Sequence, residues 1–280
     1  MIDLLKISSE TDLYNFHSHT QYCDGRVPME TMLRAAIDEG FLHWGFSPHS
    51  PIPIDSPCNM KRVDVEQYLN EIARLRETYG DRIKIYAGME IDYLSSEWGP
   101  HVEYFRELPL DYRIGSVHFI PGGENFVDVD GSPESFMKKM ERYFDNDIRH
   151  VVNAYYDSLC AMIQSGGFDI VGHLDKIGHN ASCFSPGIED QPWYQKRVNE
   201  AIDLVIEKRL IAELNTKAWH TASRIFPKEC FIPHLVAAGT PIVVSSDAHY
   251  PDRVNAGRRE GLALLKAIKS AHPSSTSSQL

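Results

Sequence analysis

The chain has 280 residues, of which 42% are hydrophobic and 24% are charged, and its formal net charge is −11. This length and composition are those of a globular protein with one large core or two smaller ones. The negative charge argues against a general nucleic-acid binder, since such proteins present a basic surface. The five cysteines are widely spaced without a Cys-x-x-Cys pair, which favours reduced thiols in a cytoplasmic protein.

Short apolar segments alternate along the chain with longer amphipathic ones. We predict strands over 13–17, 43–47, 83–91, 112–119, 169–173, 210–215 and 241–246. Stretches with the spacing of amphipathic helices lie over 29–39, 64–79, 135–165, 194–208 and 253–270. Alternating strands and helices predict an α/β fold with a parallel sheet. No linker interrupts the alternation, so we expect one domain over residues 1–270 that closes as a single barrel.

Two long loops and a polar tail complete the chain. A proline-rich segment, 48–62, follows the second predicted strand, and 119–133, with its adjacent glycines, follows the fourth. Loops of this length are often functional. Residues 271–280 are polar and of low complexity, which predicts a frayed tail. The chain starts without the long apolar stretch of a signal peptide, and no segment approaches the ~18 apolar residues needed to span a bilayer.

Residues able to bind metals recur where the predicted strands end. His17 and His19 form one pair at i and i+2, and Asp247 and His249 form another. On an extended chain both members of such a pair point the same way. The carboxyl ends of barrel strands share one face, where barrel active sites form. Single candidates end or follow the strands between the two pairs: His49, Glu90, His118 and His173.

One histidine after a strand is more often a hydrogen-bonded core residue than a ligand. Six histidines on one face, with two acids added, are harder to explain in that way. Each buried polar group left unpaired would cost about 1–3 kcal/mol. Imidazole suits Zn, Fe and Mn, and carboxylates bridge ions and balance their charge. The set as a whole therefore predicts a metal centre.

The motifs around these residues form a recognisable series. They are His17-Ser18-His19, Asp24, Ser47-Pro48-His49-Ser50-Pro51, Gly88-Met89-Glu90-Ile91-Asp92, Gly115-Ser116-Val117-His118, Gly172-His173 and Ser246-Asp247-Ala248-His249. Together, over about residues 15–257, the series resembles the polymerase and histidinol phosphatase (PHP) superfamily of metal-dependent phosphoesterases. The resemblance implies a distorted seven-stranded (β/α) barrel with the metal site at the carboxyl ends of its strands, in agreement with the strand count.

The resemblance also implies a trinuclear site, for which we expect two to three divalent ions of Mn, Fe or Zn. One metal would take His17, His19, Glu90 and Asp247, a second Glu90, His118 and His173, and a third Asp24, His49 and His249. The family often has histidine where this chain has Asp24, and the aspartate resembles the histidinol-phosphatase branch. An oxygen ligand there favours a harder metal such as Mn or Fe. The catalytic residues implied are Glu90, Asp247 and His249.

The activity implied is hydrolysis of a phosphate monoester by a metal-bound hydroxide. Within the superfamily, the size and the single-domain layout resemble the histidinol-phosphate phosphatases. The substrate would then be L-histidinol phosphate, which yields L-histidinol and phosphate in histidine biosynthesis. Two alternatives stay open: a phosphoesterase acting on another small phosphate ester or a nucleotide, and a structural or regulatory metal module.

The phosphate also needs cationic partners among the side chains. The candidates are Arg197, Lys217 and Lys61, because arginine can bind phosphate through two hydrogen bonds and lysine acts as a point charge. Asp92 or Glu213 could pair with the basic imidazole and amine of the substrate. We thus expect a small-molecule partner, no nucleic acid and no membrane, while the oligomeric state stays open.

Overall fold

The computed structural model describes residues 2–272, and most of the predicted tail over 271–280 lies outside the described residues. The strands are β1 (Tyr14–Asn15), β2 (His43–Phe46), β3 (Lys84–Ala87), β4 (Glu90–Asp92), β5 (Ile114–Ser116), β6 (Phe119–Gly122), β7 (Asn125–Asp128), β8 (Ile170–Val171), β9 (Ile211–Asn215) and β10 (Ile242–Ser245). The helices are α1 (Leu4–Glu10), α2 (Met29–Asp38), α3 (Val65–Tyr79), α4 (Glu103–Glu107), α5 (Pro133–Phe144), α6 (Ile148–Ser165), α7 (Ile177–Phe184), α8 (Pro192–Glu207), α9 (Trp219–Ala222), α10 (Ile232–Ala237) and α11 (Arg258–Ala271).

Two parallel sheets carry the fold, with strand orders β1-β2-β3 and β10-β9-β8-β5-β4. An antiparallel hairpin, β6-β7, stands apart from them. Isolated parallel bridges join Ser18 to Ala248 and His49 to Glu90. The first bridge joins the segments that follow β1 and β10, and the second joins the segment after β2 to the start of β4. The two bridges thus bring the metal-binding motifs of the two sheets together. The α/β class and the parallel pairing are as predicted.

The predicted strand 83–91 is two strands, which corrects the sequence analysis. β3 pairs with β2, whereas β4 pairs with β5 in the other sheet. Gly88 lies at the break, where an added Cβ would come within 2.3 Å of the Tyr112 ring. Only glycine lets the backbone pass this ring, and the shift places Glu90 at the start of β4 beside His49.

The predicted helix 135–165 is also two elements. Helix α5 ends at Phe144, and Asp145 and Asn146 follow with φ angles of 48° and 59°. This left-handed backbone ends a helix, and Asp and Asn adopt it more readily than most residues. Asp147 then accepts a hydrogen bond from the His150 amide and caps α6.

The predicted loop 119–133 contains the β6-β7 hairpin, another correction. Gly122 pairs with Asn125, so a two-residue turn joins the strands. Gly123 takes a φ of 67° in that turn, a conformation that favours glycine in hairpins. Beyond β7, the Val129 amide donates to the His118 carbonyl at 2.8 Å. The hairpin therefore begins and ends beside a predicted ligand.

Apolar faces predicted from helical spacing are buried as expected. Tyr68, Ile72 and Leu75 of α3 pack in one cluster with Trp44 and Phe46 of β2. Burying an aliphatic side chain such as Ile72 or Leu75 contributes roughly 1.5–3 kcal/mol. All five cysteines are free thiols. Within residues 2–272, every helix is too short or too polar to cross a lipid bilayer.

Candidate metal centre

The ends of the strands bring the nine predicted ligands into one cluster. Eight of them are buried, and Asp24 keeps 20% of its side chain exposed. Three groups can be defined in which each residue offers a ligand atom within 4.8 Å of the others. They are His19 with Asp24, His49 and His249, then His17 with His19 and Asp247, and finally His49 with Glu90 and His118.

Glu90 occupies the centre of this arrangement. Its Oε2 lies 3.0 Å from His49 Nδ1 and 3.2 Å from His17 Nε2. Its Oε1 lies 2.9 Å from His173 Nε2 and 3.4 Å from His118 Nε2. One carboxylate thus faces two different pairs of imidazoles with its two oxygens, which is the geometry that a bridging ligand needs.

Unsatisfied polar atoms concentrate at the same point. Within residues 2–272, buried atoms without a hydrogen-bond partner include His17 Nε2, His19 Nε2, Asp24 Oδ1, His49 Nδ1, Glu90 Oε2 and Asp247 Oδ1. Each such group costs about 1–3 kcal/mol if it stays unpaired. Unprotonated imidazole nitrogens and carboxylate oxygens can both bind the same divalent cation. The donor set therefore fits divalent metal ions.

The charges around the histidines favour bound positive charge as well. Burial alone would lower the pKa of His17, but the carboxylates of Glu213, Asp247 and Glu90 outweigh it and raise that pKa to about 10. His118 is also buried, and nearby carboxylates raise its pKa to about 9. The effect does not extend to the whole cluster, since burial lowers the pKa of His173 and His249.

Asp92 and Glu213 lie behind the histidines, which corrects their predicted contact with the substrate. His17 Nδ1 donates to Glu213 Oε1 at 2.8 Å, and His118 Nδ1 donates to Asp92 Oδ1 at 2.7 Å. Both carboxylates are almost completely buried and cannot reach a bound molecule. They orient the rings so that each Nε2 faces Glu90. For Asp92, the i, i+2 spacing from Glu90 in the sequence indicates that its side chain lies on the same side of the strand as the predicted ligand.

We expect Glu213→Gln to weaken metal binding by about 10–100-fold, because a neutral amide orients and polarises His17 less well. Competition with a chromophoric chelator measures this affinity. Glu207→Gln, at the exposed end of α8, is the matched control and should bind metal as the wild type does. Equal affinities for Glu213→Gln and the wild type would contradict the supporting role.

Of the cations predicted to bind phosphate, Lys217 lies in the cluster. Its Nζ is 3.4 Å from Asp247 Oδ1 and 3.3 Å from His249 Nε2. Burial alone would lower the pKa of Lys217, but the surrounding carboxylates raise it above its usual range. Lys61 is exposed on its loop and lines a separate depression with Trp98, so the structure does not bring it to the ligands.

Arg197 also lies elsewhere, and we do not retain it as a phosphate-binding residue. It belongs to α8, where its Nη1 lies 2.7 Å from Glu200 Oε2 and its Nη2 pairs with Asp157 of α6. The sequence predicted that Arg197 lies in a helix, over 194–208, and in the structure its side chain turns from α8 towards α6. Its charge is already used by these two carboxylates.

Arg197→Ala should therefore lower the free energy of unfolding by about 1 kcal/mol or less, as for other partly exposed ion pairs. It should leave kcat/KM for phosphate esters close to the wild-type value. Lys217→Met should reduce kcat/KM, because it removes the cation beside Asp247 and His249. Steady-state kinetics and thermal unfolding compare the two variants, and a comparable loss of activity in Arg197→Ala would contradict this placement.

Two clefts reach the cluster. The first, of about 370 Å³, opens beside His49 and His118, between the loop 54–59 and the β6-β7 hairpin. The second, of about 410 Å³, reaches Asp24, Asp247 and His249 and is also lined by Arg26, Lys217 and Arg253. The long predicted loop 48–62 thus contributes to the site, and the hairpin adds a wall that the sequence did not reveal.

An α/β protein with clustered histidines and carboxylates at the ends of parallel strands has the structure of a metalloenzyme. A family model described as the PHP domain matches residues 15–217, and the chain belongs to this family. Of the nine predicted ligands, Asp247 and His249 lie beyond the matched range, and the fold returns them to the others.

Two relatives that match most of this chain have the same description. The "Probable histidinol-phosphatase" of Deinococcus radiodurans is 30% identical over 257 residues, which cover 87% of this chain and 89% of the relative. The "Probable histidinol-phosphatase" of Schizosaccharomyces pombe is 27% identical over 262 residues, which cover 85% and 81%.

A solved structure shares the fold. It is the histidinol phosphate phosphatase of Lactococcus lactis subsp. lactis complexed with Zn, L-histidinol and phosphate. Its TM-score is 0.71 at 19% identity, over 92% of this chain and 94% of that one. At this low identity the likeness shows the fold alone.

Proposed function

We propose that the chain is a metal-dependent phosphomonoesterase that hydrolyses L-histidinol phosphate to L-histidinol and phosphate. The observation that carries this proposal is the convergence of the buried ligand atoms around Glu90. The names of the relatives from Deinococcus radiodurans and Schizosaccharomyces pombe support the choice of substrate. The ligands of the Lactococcus lactis structure support it as well.

Two to three divalent ions, of Mn, Fe or Zn, would occupy the centre. His17, His19 and Asp247 would hold one together with Glu90, then Glu90, His118 and His173 the second, and Asp24, His49 and His249 the third. His49 Nδ1 lies 3.0 Å from Glu90 Oε2, the oxygen that also faces His17, and its ligand atoms also group with those of His118. This histidine of the third set would therefore be within reach of the other two sets. Bound divalent ions would activate water near neutral pH and stabilise charge on the phosphoryl oxygens.

The protein groups would bind and orient the reactants around that centre. Glu90, Asp247 and His249 would act in catalysis as ligands that fix the geometry. The Lys217 ammonium, which neighbouring carboxylates keep protonated, would hold a phosphate oxygen as a point charge. Glu213 and Asp92 would fix the imidazoles that face Glu90.

We also propose that the two sheets act as one distorted seven-stranded barrel, in a single domain over residues 1–270. The bridges Ser18–Ala248 and His49–Glu90 support this closure, because they connect the sheets on both sides. Strands β3 and β4 would count as one bent strand of that barrel.

The test is a kinetic comparison of L-histidinol phosphate with sugar phosphates, nucleotides and a simple aryl phosphate. We expect L-histidinol phosphate to be preferred by at least ~100-fold in kcat/KM, or about 2.7 kcal/mol of transition-state discrimination. The physical reason is that metals hold any phosphate, so that selectivity must come from contacts with the leaving alcohol. A flat profile would indicate a general phosphoesterase instead.

A further inference from the structure

The wall that the hairpin adds to the first cleft carries two carboxylates. Asp128 and Asp130 both line this cleft and flank the buried Val129. β7 ends at Asp128, whose Oδ1 accepts a hydrogen bond from the Asp130 amide at 2.8 Å, so a short turn holds these two residues together. The hydrogen bond from the Val129 amide to the His118 carbonyl, at 2.8 Å, ties this segment to a predicted ligand. The two carboxylates therefore stand at the edge of the proposed metal centre.

Each of these carboxylates is paired with a lysine. Lys139 Nζ lies 2.8 Å from Asp128 Oδ2, and Lys176 Nζ lies 3.2 Å from Asp130 Oδ1. The Asp128 side chain is nevertheless 35% exposed and that of Asp130 is 25% exposed. Each carboxylate thus already pairs with an ammonium group, and its exposed part is accessible to another cation in the cleft.

Other carboxylates near the centre have different tasks. Asp92 and Glu213 are buried behind His118 and His17, and Asp24 is a predicted ligand. The remaining acid of the cleft, Asp55, is exposed on the outer loop. Asp128 and Asp130 are therefore best placed to meet a molecule that reaches the metal ligands.

Aromatic rings line the same cleft. Phe119 and Phe126 come from the hairpin, and Tyr143 comes from α5. The face of an aromatic ring attracts cations, and the attraction grows as the cation loses water. Carboxylates and aromatic rings in one cleft favour a small cationic ring over a neutral sugar or an anionic nucleotide.

We propose that Asp128 and Asp130 recognise the cationic end of the substrate, its amine and imidazole, while the phosphate lies at the metal ligands. This assignment rests on the proposed function. The amine of the substrate replaces Lys139 at Asp128, so that Lys139 competes with the substrate. The hairpin wall thereby determines which leaving alcohol is accepted.

The experiment compares two esters on the metal-loaded protein: L-histidinol phosphate and 3-phenylpropyl phosphate, which has similar length and no nitrogen. Asp128→Asn and Asp130→Asn should each raise KM for L-histidinol phosphate by about 10–100-fold, since hydrogen bonds to charged groups have this effect. The change in KM for the nitrogen-free ester should be much smaller. Lys139→Met should lower KM for L-histidinol phosphate, because it removes the competing ammonium.

A matched control is Glu124→Gln, which removes one negative charge from the exposed turn of the same hairpin and should leave both esters unaffected. Calorimetric titration of the metal-loaded protein with L-histidinol adds a readout that is independent of turnover. Asp128→Asn and Asp130→Asn should weaken this binding, whereas Glu124→Gln should not.

The outcomes separate this inference from the proposed function. If the wild type prefers L-histidinol phosphate but the aspartate variants change both esters equally, the hairpin assignment fails and the function stands. If Lys139→Met raises KM for both esters, Lys139 binds phosphate and the assignment also fails. If the wild type shows no preference among phosphate esters, the proposed function fails and the hairpin does not select the leaving alcohol. Weaker binding of L-histidinol by Asp128→Asn would then support only the contact between the hairpin and the cationic group.

Discussion

Glu90→Gln should reduce the release of phosphate from L-histidinol phosphate by about 10³-fold or more, because bound metals contribute several kcal/mol to catalysis. The two oxygens of Glu90 face different pairs of histidines. The amide of glutamine keeps the shape of the side chain but presents one neutral oxygen and two N–H donors. It can therefore neither bridge two cations nor balance their charge.

Elemental analysis should show that Glu90→Gln loses more than one metal ion at once. Glu97→Gln makes the same substitution at an exposed position of the turn after β4, and it should keep both activity and metal. Near-normal turnover together with full metal content in Glu90→Gln would show that Glu90 does not bridge.

Metal removal is the second change with a large expected effect. Protein from metal-supplemented medium should hold two to three divalent ions per chain, since nine ligands exceed the four of one tetrahedral ion. Chelation should abolish turnover and also lower the Tm, because ligands that bind only the folded state stabilise it. Elemental analysis and thermal unfolding measure both effects, and a reproducible content of one ion or less would exclude a multinuclear centre.

Most of the predicted ligands could be found from the sequence because they follow short apolar strands, whereas Asp24 lies in a turn and was predicted only from the family resemblance. Parallel strands end on one side of a sheet, so local patterns were enough to gather His17, His173 and Asp247, although they are far apart in the chain. The i, i+2 argument does not hold for Asp247 and His249, because Asp247 follows the end of β10 and takes a φ of 50° rather than an extended conformation.

Features that depend on tertiary contacts could not be predicted from these local sequence patterns. The break before Glu90 depends on the Tyr112 ring against Gly88, a contact between distant segments. The helical spacing of 194–208 does not show whether Arg197 pairs with Asp157 or faces a bound phosphate, because that depends on how α8 packs against α6. The role of Asp92 was accessible in principle, because it shares a strand face with Glu90.

The most direct test of the account is a titration of chelator-treated protein with Mn or Zn while phosphate release from L-histidinol phosphate is followed. We expect no activity in the metal-free protein and a rise that continues beyond one equivalent of metal and ends at two to three. Activity in the absence of metal, or a maximum at a single equivalent, would contradict a multinuclear phosphatase centred on Glu90.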